Sequence, residues 1–284
     1  MKPFLKWAGG KYRIIERVLA ALPTGNRLVE PFVGSGAVFL NAGFDTATVA
    51  DSNQDLIGLY QIIQAEGEAF AHYAAALFVP ENNTETVFYQ YREEFNASKD
   101  LARKAALFVY LNRHCFNGLC RYNGKGKFNV PFGRYAKPQF PMAEMLGFHQ
   151  KSQSVIFNVA DFRETLDSVS EGSVVYCDPP YAPLTATANF TAYHTNSFNL
   201  EQQVLLAQKA ESLMKKRIPV LISNHRTPLT QEWYKNAAET HIVKVRRSIS
   251  SNGATVRTAM PAARLRRTAS GCEICTTVSP SCAP

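Results

Sequence analysis

Two prolines stand between an acid and a tyrosine in Cys177-Asp178-Pro179-Pro180-Tyr181, directly after the apolar, β-branched run Ser173–Tyr176. Proline holds φ at about −65° and carries no N–H, so the backbone here is stiff and the Pro179 carbonyl meets no competing amide from its own turn. Asp178 adds a second acceptor and Tyr181 an aromatic face. Two acceptors side by side match the two hydrogens of an exocyclic amine, and a ring beside them matches a planar base. The N6 lone pair of adenine is delocalised into its ring and is a poor nucleophile. Holding both amine hydrogens favours a more tetrahedral nitrogen, with its lone pair aimed at an electrophile such as a sulfonium methyl. That is catalysis by positioning and electrostatics rather than through a covalent enzyme intermediate. A base inside a duplex has to be flipped out to be reached in this way. The plainer alternative for this stretch is a proline-rich turn after a strand.

Other residues could hold the electrophile. Glu30-Pro31-Phe32-Val33-Gly34-Ser35-Gly36 sits at a strand-to-helix turn, where Gly34 and Gly36 let a ligand approach the backbone. Asp51 ends the following strand, roughly where α/β nucleotide binders place an acid for ribose hydroxyls, about 20 residues after the glycine turn. The full GxGxxG is missing, which argues against a dinucleotide site and fits the looser turn of S-adenosylmethionine (AdoMet) enzymes, where there is no pyrophosphate to cradle. Lys6-Trp7-Ala8-Gly9-Gly10-Lys11 adds a ring that could pack on a ligand and a cation that could neutralise a carboxylate. Taken alone, Trp7 reads as a core anchor in a loop.

The bulk properties are compatible with this chemistry. A hydrophobic fraction of 46% in 284 residues is enough for a sizeable core. The formal net charge of +8 favours a polyanionic partner through phosphate neutralisation. No apolar run is long enough to span a bilayer, and the N-terminus lacks the apolar region of a secretory signal, so a cytoplasmic protein is expected. Cys272 and Cys275 have CxxC spacing, but no second Cys/His pair completes a zinc site, and neither a metal site nor a disulfide framework is expected.

The elements that must position these residues alternate. A helix over "KYRIIERVLAAL" precedes a strand at "RLVE", a helix starting in "AVFLNAG", a strand at "TATVAD" and a periodic helix at "QDLIGLYQIIQAEG". This pattern predicts a parallel α/β sheet. From residue 66 to residue 148 the texture changes. Helical stretches "FAHYAAALF", "TVFYQYREEFN" and "DLARKAALFVYLNRH" lead into "CFNGLCRYNGKGKFNVPFGRYAKPQF", whose turn residues and interleaved aromatic and basic residues predict a hairpin. The α/β pattern then resumes with strands at "SVIFNVADF", "GSVVYCDPPY", "IPVLISNH" and "THIVKVRRSIS". A helix at "NLEQQVLLAQKAESLMKKR" is capped by Asn199, and another lies at "LTQEWYKNA". The expected organisation is a discontinuous catalytic domain (1–65 and 149–253), a recognition domain (66–148) and a tail (254–284) that reads as disordered.

Taken in order, "FLKWAGGK", "LVEPFVGSGAVFLN", "YREEFN", "NGLCRYN", "FNVPFGRY", "VVYCDPPYAPLTATANFTAYHTNSF", "IPVLISNH" and "VKVRRSISSNG" resemble the DNA adenine methyltransferase (Dam) family, AdoMet-dependent enzymes that methylate adenine N6 in double-stranded GATC. The resemblance runs from about Phe4 to Gly253. It implies a Rossmann-like AdoMet-dependent methyltransferase sheet with an inserted helical and hairpin DNA-recognition domain, acting as a monomer and meeting the nucleoid through DNA. It implies that Trp7, Lys11, Asp51 and Asp178 contact AdoMet, with Phe32, Gly34 and Gly36 shaping its pocket. Asp178, Pro179, Pro180 and Tyr181 would form the catalytic motif that holds the target adenine. Leu119, Arg121 and Pro131 would be base contacts, and Lys6, Arg92, Asn117 and Arg134 would be positioned against phosphate or base. Arg121 leads that set because arginine bidentate to guanine is the commonest specific major-groove contact. The chain departs from the family at "NRHCFNG", where His114, Cys115 and Phe116 replace "YGY", and the resemblance stops at Ala254. The alternative to an active enzyme is therefore a DNA- or AdoMet-binding homologue inactivated or weakened by its altered end.

Overall fold

The computed structural model describes residues 1–181, 198–246 and 270–278. Its centre is a seven-stranded sheet in the order β3-β2-β1-β4-β5-β7-β6. The strands are β1 (Arg27–Glu30), β2 (Thr46–Asp51), β3 (Val155–Val159), β4 (Ser173–Cys177), β5 (Val220–His225), β6 (Glu239–Arg246) and β7 (Ser270–Val278). From β3 through β5 every pairing is parallel. Burial follows this order: β4 and β5 are buried at every residue, whereas β3, at the edge, exposes Ile156, Asn158 and Val159. Continuous apolar runs such as "SVVYC" therefore form the covered centre of the sheet.

Two sequence expectations fail in this sheet. The tail was expected to be unstructured, yet Ser270–Val278 forms β7, antiparallel to both β5 and β6. The β-branched residues Ile274, Thr276, Thr277 and Val278 suit a strand, and the slot between β5 and β6 offers partners on both sides. The start of the tail at Ala254 lies outside the described residues. The helix expected in "AVFLNAG" is instead a run of turns, with the Leu40 amide on the Gly36 carbonyl at 3.2 Å and Ala42 on Val38 at 2.7 Å. Residues 35–40 are all buried, and packing has drawn the chain into the core before a regular helix can propagate.

Asn53 caps α2 (Gln54–Ala75), its side chain accepting from the amides of Asp55 and Leu56. This helix contains two stretches that the sequence separates. They meet at Gly67, whose φ of 52° breaks the helical run. The His149 ring fills the space a Cβ would take, 2.7 Å away, and its Nδ1 donates to the Ile63 carbonyl at 2.9 Å. The expected domain boundaries fall inside elements: residue 66 lies within α2, and residue 148 lies within α5 (Met142–Ser152), a helix the sequence reading missed. The core crosses both boundaries, because Phe4, Tyr60, Phe148 and Phe157 pack in one aromatic group with α4 (Leu101–His114) in the same cluster. α1 (Ile15–Ala21), preceded by a short 3-10 turn, and α3 (Glu85–Ala97) complete this side.

The other face of the sheet packs α6 (Phe162–Asp167) and α7 (Leu200–Lys215), with α8 (Pro228–Trp233) following β5. Asn199 and Gln202 form a capping box at the start of α7. Among the described residues no helix is long and apolar enough to cross a membrane. Replacing Gly67 with alanine forces a positive φ on a side chain and pushes it into His149. We expect a loss of roughly 1–3 kcal/mol, read as a lower urea midpoint at unchanged m-value.

Candidate active site

Parallel strands end on one side of a sheet, and the crevice beyond their carboxyl ends is where open α/β folds bind ligands. Here those ends carry Glu30 on β1, Asp51 on β2, Asp178 just past β4 and His225 on β5. Lys11 arrives from the N-terminal segment with its side chain only 4% exposed. Its Nζ lies 2.7 and 2.8 Å from the two Asp178 oxygens and 2.6 Å from the Gly9 carbonyl. The carboxylate this lysine neutralises in the structure is therefore Asp178. The same Nζ stands 4.8 Å from the centre of the Tyr181 ring, which packs edge-on against His225 at 4.6 Å. Pro180 presents its carbonyl to Gln203 at 2.7 Å. Asp178, the proline pair, Tyr181 and Lys11 thus form one cluster.

The glycine turn is built as a cradle. Gly34 and Gly36 have φ of 46° and 75°. A Cβ on Gly34 would lie 2.7 Å from the Trp7 indole nitrogen, and one on Gly36 would lie 2.4 Å from Phe39. Both positions therefore need glycine, for the turn and for the close approach. The Gly34 amide donates to Asp51 Oδ2 at 3.2 Å, Asn53 donates to Asp51 Oδ1 at 3.0 Å, and the Tyr60 hydroxyl donates to the Gly34 carbonyl at 2.5 Å. Burial raises the Asp51 carboxyl above the usual range, against the pull of those amides. Phe32 turns toward the second core, stacked on Phe162 at 5.5 Å and edge-on to Phe198 at 5.4 Å. Trp7, Lys11, Gly34, Asp51 and Asp178 suit a ligand with an aromatic end and a polar end, as AdoMet has.

The sequence reading missed Glu30 and Gln203. Glu30 is 2% exposed, and burial, reinforced by nearby Asp178, raises its carboxyl well above the usual range. Its Oε1 has no hydrogen-bond partner among the described residues. The available signal was an acid at the end of an apolar strand, immediately before the glycine turn.

The expected hairpin is present. Phe116 donates to the Pro131 carbonyl at 2.8 Å, Gly133 to His114 at 2.8 Å, Asn129 to Arg121 at 3.1 Å and Asn123 to Lys127 at 2.9 Å. Arg121 and Pro131 are exposed on it and Leu119 is half-buried. Arg121 is braced by Asn129, through Nε to Oδ1 at 2.8 Å and Nη2 to the carbonyl at 3.2 Å. Asn117 is exposed with a φ of 54°, and its amide donates to the Tyr135 hydroxyl. Lys6 lies over the Tyr135 ring at 4.2 Å, and burial together with Arg113 lowers its pKa. Arg92 is mostly covered, donating to the Val130 carbonyl at 3.4 Å and lying over Tyr89, so it braces the hairpin. Arg134, exposed, pairs with Glu85 at 2.8 Å.

Two of the three departures from the family motif, His114 and Cys115, are core residues. His114 stacks on Tyr110 at 3.8 Å and donates from Nδ1 to the Tyr110 carbonyl at 2.8 Å. Burial pushes its pKa down to about 4 and pushes the Cys115 thiol up to about 12. Phe116, by contrast, is at the surface.

Residues 7–249 match the family of D12 class N6 adenine-specific DNA methyltransferases, and the chain belongs to it. It is an adenine-specific DNA methyltransferase, with AdoMet as methyl donor. It is 58% identical over 254 residues to a DNA adenine methylase of Escherichia coli K12, covering 89% of this chain and 91% of that one. It is 54% identical over 252 residues to the DNA adenine methylase of Serratia marcescens, covering 88% and 93%. Against that of Vibrio cholerae El Tor it is 50% identical over 254 residues, covering 89% and 91%.

Because His114 stays neutral in the fold, its contribution to stability is complete above its ordinary pKa of 6.5 and is lost as pH falls toward about 4. We expect His114→Phe to remove a pH-dependent loss on the order of 3 kcal/mol across that window. Urea unfolding of both proteins at several pH values measures the difference.

Proposed function

We propose that this methyltransferase acts as a single chain on adenine in double-stranded GATC, bound to DNA in the nucleoid, and takes the base out of the duplex to reach the Asp178-Pro179-Pro180-Tyr181 cluster. The observation that carries this reading is the Lys11–Asp178 pair set against the proline turn and the Tyr181 ring. It leaves a partly buried carboxylate, 21% exposed, beside a backbone carbonyl at the end of β4, where a base still stacked in a helix cannot reach. Asp178 and the Pro179 carbonyl accept the two N6 hydrogens and draw the lone pair out of conjugation, while Tyr181 offers its face to the ring. Lys11 balances the Asp178 charge and fixes its orientation. AdoMet, when bound, supplies a methyl group activated by a positive sulfur. Trp7, Lys11, Asp51 and Asp178 hold it, with Phe32, Gly34 and Gly36 forming the walls of its pocket. Leu119, Arg121 and Pro131 read bases from the hairpin. Lys6, Arg92, Asn117 and Arg134 lie beside them and set its register against the backbone.

One observation favours a second reading, a binding protein with reduced turnover. The family match ends at residue 249, and β7, inside the sheet, is built from residues beyond it. Labelled AdoMet with a GATC duplex, and with a duplex of the same composition in another order, separates the readings. We expect label only in GATC, and at least a roughly 100-fold loss in a folded Asp178→Ala variant. Transfer to the reordered duplex sinks the specificity, and undiminished transfer by the variant sinks the site. Retention of GATC without transfer establishes the second reading.

A further inference from the structure

The row of α7 that faces the sheet carries Leu206, Ala207, Ala210 and Leu213, all buried, and begins with Gln203, which is 1% exposed. A buried amide in an apolar row is costly unless both ends are hydrogen-bonded. Here both are. Gln203 Nε2 donates to the Pro180 carbonyl at 2.7 Å, and Gln203 Oε1 accepts from Asn224 Nδ2 at 3.0 Å. The direction of the chain is set from the sheet. The His225 backbone amide donates to Asn224 Oδ1 at 2.8 Å, so Asn224 must turn its NH2 toward Gln203, and Gln203 must turn its own NH2 toward Pro180.

The recipient explains why such a chain is needed. Pro179 and Pro180 both lack an N–H, so at two successive positions the turn cannot donate a backbone hydrogen bond to hold its own shape. A donor from outside has to fix it. The next residue is held from the same strand end, since the His225 ring packs edge-on against Tyr181. We propose that Gln203, oriented by Asn224, is a positioning residue for methyl transfer. It anchors the Pro180 carbonyl and, through the stiff proline pair, sets the Pro179 carbonyl and the Tyr181 ring at the angle the adenine amine requires. This rests on the roles given to Asp178, Pro179 and Tyr181 above.

Two variants of the full chain test it, assayed on the GATC duplex with labelled AdoMet. Gln203→Met keeps the length and volume and removes the donor. Misplacing a reacting group by about 1 Å can cost about 100-fold, so kcat should fall roughly 10- to 100-fold while the KM for AdoMet stays within about twofold. Gln203→Glu supplies an O–H donor to Pro180 only when protonated. Its kcat relative to the parent should therefore recover as pH falls and decline as pH rises, whereas the parent amide does not titrate. Lys11, Asp178 and His225 are common to both proteins, so the ratio removes their contribution. A pH-independent ratio, or a Gln203→Met enzyme with parental kcat, overturns the proposal. If Gln203→Met does not fold, the Gln203→Glu ratio alone decides. Asp178→Ala run in parallel separates the two claims: full activity there shows that the site reading is wrong, whereas its loss alongside an unaffected Gln203→Met shows that only the Gln203 role is wrong.

Discussion

The ion pair between Lys11 and Asp178 is the contact on which the site depends. The lysine is almost wholly covered, and a buried ammonium without a counter-charge is expensive, so the pair dictates where the N-terminal segment must lie. Once Lys11 is tied to the end of β4, Trp7 is carried over the Gly34 turn, and that turn has to be glycine because the indole occupies the space of a side chain. Asp51 then has the Gly34 amide to accept from, and Tyr60 closes the turn from beneath. Three strand ends and one loop are brought together by one charge pair and one steric constraint.

The same segment connects the site to the hairpin. Asn112, 2% exposed on α4, clamps the Lys6 backbone from both sides, with Lys6 N donating at 2.9 Å and Lys6 O accepting at 2.8 Å, and it also donates to the Gly118 carbonyl. Gly118 has no room for a side chain against Lys6. On the other side, Tyr122 donates to Asp55, which also pairs with Lys104, and Asn53 donates to Cys120. Asn53 is the residue that holds Asp51 and caps α2. The hairpin therefore hangs from the elements around the glycine turn by buried polar contacts as well as by the shared aromatic core. This continuity is why boundaries drawn inside α2 and α5 do not correspond to gaps in the packing.

The sequence made legible whatever rests on local chemistry. Alternating apolar runs announced the parallel strands, Asn199 announced its helix, and the Asn123–Lys127 turn announced the hairpin. Asp51 and Asp178 were legible as acids at strand ends, because parallel strands bring their carboxyl ends to one side of the sheet whatever lies between them. Features that depend on tertiary partners were not legible. Gly67 looks like a helix stop, and only His149 shows why the chain continues. Gln203 reads as one more polar helix residue, and only the bare Pro180 carbonyl explains its burial. Arg92 has the composition of a DNA contact, and only the fold shows that it also holds the Val130 carbonyl and lies over Tyr89.

The tail matters for the same reason. β4 supports β5 only over Val220–Ile222, so the last residues of β5 extend past it. Among the described strands, Ser223, Asn224 and His225 have their ladder partners in β7, at Cys275, Ile274 and Glu273. Asn224 orients Gln203 and His225 backs Tyr181, so the support of the proline turn passes through a strand that lies beyond the family match. The turn that carries Asp178 is thus coupled to β7 by backbone pairing at β5. A change confined to β7 can reach the candidate site without altering any residue in it.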